Sequence, residues 1–226
     1  MKAGMLYEVV AAQESGRDVV LVTRLGDGAQ ELIEAGVGAS GLGVGGDVLA
    51  DVLRVGESRT VETGGGPVFL RPYIRAPRLI VTGAVHIAQA LVPMATLAGF
   101  RVTVLDPREG FATEARFPDA VLVREWPDRA MEELAPDRRT AVVALTHDPK
   151  IDDPALIAAL ESDAFYVGAL GSRKTQGARR ERLGGSGFSA EDIDRIHGPI
   201  GLPIGARTPE EIAVAVLAQV IGALRA

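Results

Sequence analysis

A chain of 226 residues with 47% hydrophobic content can bury one full domain and a smaller one without staples, because the buried fraction of surface rises with length. Its formal charge of -6 and aromatic content of 4% argue against nucleic acid as a partner, since they offer neither a general electrostatic grip nor many stacking platforms. The absence of cysteine excludes disulfides, thiolate metal sites and persulfide or thioester chemistry on the chain itself.

Residues Met1 to Gln13 suggest a helix, and Glu8 and Glu14 come before any long apolar stretch develops, so no signal peptide is expected. Asp18 to Leu25 (DVVLVTRL) is dense in β-branched residues and flanked by glycines, which predicts a strand. A flexible stretch follows, in which GVGASGLGVGG places six glycines between Gly36 and Gly46. Val48, Leu49, Val52 and Leu53 then recur at helical spacing. ESRTVETGGGPVFLRPY reads as two short strands around Gly64, Gly65 and Gly66, and Ala76-Pro77 makes a boundary. Residues 1–76 are thus expected to form a small α+β domain and residues 77–226 a second one.

From Arg78 strands and helices alternate, the pattern of a parallel sheet with helices on both faces. RLIVTG, FRVTVLD, AVLVRE, TAVVALT and AFYVGAL supply five strands, with HIAQALVPMATLAG, DRAMEEL and PALIAALES as helices between them. The last segment carries Thr208 as N-cap, Pro209 at the first helical position and Glu211 closing a capping box. This final helix is apolar nearly all round, which predicts a buried or interface helix. A homodimer through it is expected, broken by Val216→Asp. No apolar run approaches the roughly 20 residues that cross a bilayer, so no membrane partner is expected and a cytoplasmic location is.

Four segments could carry chemistry. Gly83, Val85 and Ala88 fall on the three positions of the dinucleotide fingerprint G-x-G-x-x-G/A, with Asp106 at the end of the following strand. Valine at the middle position places two methyl groups where pyrophosphate oxygens would sit, which argues against ordinary NAD(P) binding. The plainer alternative is a tight turn at Gly83 and a solvated acid at Asp106. Gly171, Ser172, Arg173 and Lys174 offer glycine amides, a hydroxyl, two cations and a helix start, the chemistry that a phosphate requires. Arg-Lys at a helix start also serves as a solvated face. His147 and Asp148 could form a proton-transfer pair or a polar clamp, or Asp148 could cap the next turn. His86 and His197 lie far from His147 in sequence, and Asp152 and Asp153 give no ligand spacing with it, so no metal site is expected. The fourth segment, IHGPIGLPIGARTPEE, is too idiosyncratic for a generic loop.

Taken together, GFRVTVLDPREGFATEARFPDA, LTHDPKID, YVGALGSRKT and IHGPIGLPIGARTPEEIAVAVLAQVI resemble the XdhC/CoxI family in order, spacing and detail. The resemblance covers Arg78 to Ala226. It implies a Rossmann domain behind a smaller N-terminal domain, in an accessory protein for molybdenum hydroxylases such as xanthine or carbon monoxide dehydrogenase. The family role it implies is a non-catalytic chaperone that binds the molybdenum cofactor (molybdopterin) as cargo, assists its sulfuration by a separate cysteine desulfurase, and passes it to the apo-enzyme. Carried onto this chain, it implies Gly83, His86, Asp106, Arg108, His147, Asp148, Gly171, Ser172, Arg173, Lys174, Gly205 and Arg207 as the cofactor-binding set.

The chain departs from its resemblance twice. Family members commonly carry a Ser-Ser-Pro-Arg-like segment and a cysteine in the N-terminal domain, where this chain has VTRLGDGAQELIEAGVGASGLGVGGDVL, with Ser40 as the hydroxyl of its glycine-rich part and no thiol. Relatives also commonly have glycine where Val85 stands. Two rival functions therefore remain open: a nucleotide-sensing or scaffold protein, and an NAD(P)-dependent oxidoreductase. The second lacks a Tyr-x-x-x-Lys pair, because Tyr7, Tyr73 and Tyr166 have no lysine four residues on.

Overall fold

The computed structural model describes residues 3–36 and 38–226, so Met1 and Lys2 of the expected first helix, and Val37 of the glycine stretch, lie outside the described residues. The chain divides into two compact units, Met1–Arg75 and Ala76–Ala226.

The first unit contains α1 (Ala3–Glu14), β1 (Val19–Arg24), β2 (Gln30–Glu34), α2 (Gly46–Val55), β3 (Arg59–Thr63) and β4 (Gly66–Tyr73). Its antiparallel sheet runs β2-β1-β4-β3. Leu49 and Val52 of α2 bury against Val20, Val22, Val68 and Leu70 of the sheet. The strand β2 falls in the stretch expected to be flexible. QELIE has one buried residue, Ile33, so its own pattern is weak; pairing decides it, with Val20 opposite Ile33 and Leu21 opposite Leu32. Asp27 sets the turn by accepting from the Ala29 amide at 3.0 Å.

The second unit runs β5 (Arg78–Thr82), α3 (His86–Leu97), β6 (Arg101–Leu105), β7 (Val121–Val123), α4 (Pro127–Leu134), β8 (Thr140–Ala144), α5 (Pro149–Leu160), β9 (Tyr166–Ala169), α6 (Arg173–Gly185), α7 (Ala190–Asp194), β10 (Ile196–His197) and α8 (Pro209–Arg225). Its strands are all parallel, in the order β10-β9-β8-β5-β6-β7. This is the doubly wound Rossmann order, with its topological switch point between β5 and β8. Side chains alternate across the sheet: Leu79, Val81 and Val143 pack with Leu91, Val92, Val216 and Val220 of α3 and α8, and Ile80, Val142 and Val167 pack with Met131, Leu156 and Ala159 of α4 and α5.

Several expectations change in this unit. A sixth strand, the two-residue β10, joins the sheet edge through pairing with β9. The strand expected at AVLVRE shortens to Val121–Val123, and as the opposite edge it leaves Val121 exposed. The helix expected at PALIAALES begins five residues earlier, at Pro149, because Asp148 caps it. Val216 is 0% exposed and belongs to the core, so it cannot serve as a dimer contact; Val214 and Ile221 form the exposed apolar part of α8.

Candidate functional site

Because every strand of the second sheet points the same way, the loops leaving β5, β6, β8, β9 and β10 share one edge. That edge carries Gly83, then Asp106 and Arg108, then His147 and Asp148, then Gly171 to Lys174. The segment from β10 to α8 adds Gly205 and Arg207.

At the switch point the two central loops touch. Gly83 has φ of 107°, and a Cβ built on it would lie 2.5 Å from the Thr146 Cγ2. A side chain there meets both a left-handed backbone and a collision, so glycine lets the β5 loop lie against the β8 loop. Val85 is the N-cap of α3 and offers no side-chain capping bond. Its half-buried side chain packs against the α3–α8 cluster, while His86 is exposed at the first helical position.

Asp106 is placed behind this loop rather than toward the open edge, with 0% exposure. One oxygen, Oδ2, accepts from the Ala84 amide at 2.8 Å and from Arg108 Nη2 at 2.7 Å. The other accepts from the Arg108 amide at 3.0 Å and Arg108 Nε at 2.9 Å. Burial pushes this carboxyl up, but the Arg108 guanidinium and the two amides outweigh it and hold the group below the usual carboxylate value. Arg108 in turn lies over the Phe111 ring, 4.3 Å from its centroid.

A second buried acid braces the β8 loop. Asp152 on α5 accepts from Thr146 Oγ1 at 2.6 Å, from the Thr146 amide at 3.2 Å and from the His147 amide at 3.0 Å. These bonds fix His147 in the left-handed region, with φ of 66° and an exposed ring. Asp148 uses its carboxylate to cap α5 at the Lys150 amide, 3.0 Å away, and no side-chain bond joins it to His147 among the described residues. Arg179 of α6 pairs with Asp152 at 3.4 Å and donates to the Leu170 carbonyl at 3.2 Å. Burial pushes Asp152 up and Arg179 down.

The β9 loop ends in Gly171 at φ of 140°, where a Cβ would approach the Thr175 Cγ2 to 2.9 Å. Ser172 caps α6 by accepting from the Thr175 amide at 3.2 Å, so its hydroxyl is committed to the helix. Arg173 and Lys174 are exposed. Arg173 lines a cleft of about 720 Å³ with Leu170, Pro199, Ile200, Leu202 and Gly205 among its walls. Lys174 and Arg207 are not part of that lining; the Arg207 amide donates to Glu211 at 2.7 Å. The wall from Ile200 to Leu202 is pinned: the Gly201 amide donates to Gln219 Oε1 at 2.8 Å, the same atom that accepts from the Tyr166 hydroxyl at 2.6 Å. The Tyr166 ring stacks on His197 with centroids 4.7 Å apart, and desolvation lowers the His197 pKa from its ordinary value.

Arg179 and Gln219 were not named from sequence, and Asp152, His197 and Tyr166 were weighed there only as metal ligands or a catalytic tyrosine and set aside, so their structural roles were missed. A charged residue on a helix face shared with buried apolar ones was the available signal: Asp152 lies at helical spacing from Leu156 and Ala159, and Arg179 from Leu183.

Residues 79–220 match the family model of the XdhC Rossmann domain, which is more than half of the chain. The chain belongs to the XdhC family. Among XdhC-type relatives, it is 34% identical over 159 residues to a Bacillus subtilis protein named as a probable component of xanthine dehydrogenase, covering 68% of this chain and 45% of that one. It is 32% identical over 156 residues to the molybdenum cofactor insertion chaperone PaoD of Escherichia coli, covering 69% of this chain and 42% of PaoD. The chain thus spans under half the length of these curated relatives. A crystal structure from Bacillus halodurans, described as a xanthine dehydrogenase, superposes with a TM-score of 0.74 at 27% identity over 98% of this chain and 67% of the other.

Proposed function

We propose that this XdhC-family chain binds a molybdenum cofactor as cargo and delivers it to an apo-molybdenum hydroxylase of the xanthine or carbon monoxide dehydrogenase type. One observation carries the reading: a cleft of about 720 Å³, walled largely by apolar and glycine residues, has Arg173 as the charged residue of its lining and opens beside the capped start of α6. Molybdopterin combines a flat ring system with a terminal phosphate. The cleft fits that chemistry, with Arg173 toward the phosphate and Leu170, Pro199, Ile200 and Leu202 toward the ring. The similarity to a relative named as an insertion chaperone supports the same direction.

The remaining candidate ligands, His86, Arg108, His147, Lys174 and Arg207, ring the same edge as secondary contacts in this reading, and Gly83 and Gly171 shape the loops. Asp106, Asp148 and Ser172 act by holding backbone. Residues 1–76 form the smaller N-terminal XdhC/CoxI-like domain and residues 77–226 the cofactor domain. The chain is non-catalytic and cytoplasmic and pairs as a homodimer. A sulfur-donating step belongs to a cysteine desulfurase partner, since this chain has no thiol to carry a persulfide. The full engagement of Asp106 weighs against an NAD-dependent oxidoreductase, whose strand-end acid must face a ribose diol.

The test is an anaerobic calorimetric titration with molybdenum cofactor released from a donor enzyme, run beside NAD(H) and NADP(H). Micromolar or tighter cofactor binding that weakens in Arg173→Ala supports the reading. Absence of cofactor binding rejects it, and binding that ignores Arg173 rejects this placement of the cargo.

A further inference from the structure

In a sheet with this strand order, the acid ending the second strand ordinarily accepts hydrogen bonds from the hydroxyls of a ribose. Asp106 stands at that place, at the end of β6, but its two oxygens already take four donors: the Ala84 amide, the Arg108 amide, Arg108 Nε and Arg108 Nη2. A carboxylate has about four acceptor positions. With 0% exposure and none of these positions left, Asp106 cannot read a diol.

What faces outward at this place is Arg108, whose side chain is 38% exposed. Its guanidinium is planar, so gripping Asp106 through Nε and Nη2 directs Nη1 away from the carboxylate. Nη1 has no hydrogen-bond partner among the described residues. The group is also held from one face by Phe111, itself exposed. A guanidinium fixed by two bonds and an aromatic floor is a pre-aimed donor for an anion. Asp148 and Asp152 act electrostatically on it as well; Asp152 is compensated by Arg179, and Asp148 is occupied in capping α5.

We infer that the strand end at β6 is an anion-reading subsite, in which Arg108 selects a ligand bearing a phosphate monoester at this position over one bearing a free vicinal diol. Arg108 is the specificity-determining residue, and Asp106 positions it. The inference rests on the reading of this edge as the ligand site, and it does not depend on molybdopterin being the cargo.

The experiment compares adenosine 2′,5′-bisphosphate with adenosine 5′-monophosphate by calorimetry on the full wild-type chain at low salt. The bisphosphate is expected to bind at least about tenfold tighter, the scale of one charge-assisted contact. The variant Asp106→Asn/Arg108→Gln, which removes charge and countercharge together so that no buried ion is stranded, should reduce the preference to about twofold or less. Equal affinities, a preference for the monophosphate, or no binding of either probe overturns the inference. So does a preference that survives in the double variant, because the phosphate is then read elsewhere. If the nucleotide preference holds while molybdenum cofactor fails to bind, the cargo assignment falls and this subsite stands; the opposite pair of results reverses that.

Discussion

Asp152 and Arg179 form an ion pair across two helices, with 3.4 Å between Nη2 and Oδ2 and side chains 1% and 3% exposed. The pair ties the β8 loop, through the Thr146 and His147 amides, to the β9 loop, through the Leu170 carbonyl. Arg179→Met strands a buried carboxylate and should cost about 3–5 kcal/mol in chemical denaturation. Asp152→Asn/Arg179→Met should be the more stable of the two variants, because no buried charge remains and the side-chain amide oxygen still accepts from the β8 loop. A double variant less stable than Arg179→Met would refute this account.

Gly83 and Thr146 mark the switch point. Gly83→Ala should lose about 1–3 kcal/mol from the left-handed backbone alone, with a further loss from the collision at 2.5 Å. Thr146→Ser removes the offending methyl and keeps the hydroxyl that bonds Asp152. Placed in the Gly83→Ala background, it should recover the steric part but not the backbone part, read as a partial return of the denaturation midpoint.

His197 stacks on Tyr166, and its folded-state pKa lies below its ordinary value of 6.5. Above that value both folded and unfolded states carry a neutral ring, so the group is silent. As pH falls below it, the unfolded chain takes up the proton first and stability declines. His197→Phe keeps the stack and removes the proton uptake. Urea midpoints measured from about pH 7 to about pH 5 should therefore fall less steeply in the variant than in the parent.

Arg173 and Lys174 separate a ligand role from a solvated face. Arg173 lines the cleft and Lys174 does not, although both are exposed at the same helix start. Arg173→Ala should weaken cargo binding about tenfold and Lys174→Ala much less. Both should stay within about 0.5 kcal/mol of the parent in stability. Equal effects on binding would make the cleft lining irrelevant to recognition.

On α8, Val214 is 47% exposed and Val216 is 0% exposed. If the helix forms the homodimer contact, Val214→Asp should give a folded monomer by light scattering. Val216→Asp should instead unfold the unit, since it buries an unpaired charge. A Val214→Asp protein of unchanged mass would remove α8 from the interface.

The fold was legible where pattern and burial coincide. Apolar runs such as RLIVT and TAVVA announce strands covered on both faces, and the Thr208–Glu211 box announces the start of α8, which the structure shows with the Thr208 hydroxyl accepting from the Glu211 amide at 3.2 Å. Where an element owes its existence to a neighbour, the signal was too weak: β2 forms because β1 supplies its partner, and β10 because β9 does. The candidate residues were legible as strand-end chemistry, but their roles were not. Asp106 reads in sequence as a ribose acceptor or a solvated acid, and it is neither in the structure, because Arg108 two residues later folds back onto it.

By itself, then, the sequence determined the parallel α/β class, the strand-end loops and the helix caps, and it showed the chain to be free of thiols. These depend on residue type and local spacing, which are written linearly. Only the tertiary structure decided which charges face a ligand and which brace the protein. That sorting depends on contacts between residues as distant as Ala84 and Asp106 or Asp152 and Arg179. Its cause is physical: a buried charge must find its partners, and whichever groups satisfy it are no longer open to a ligand.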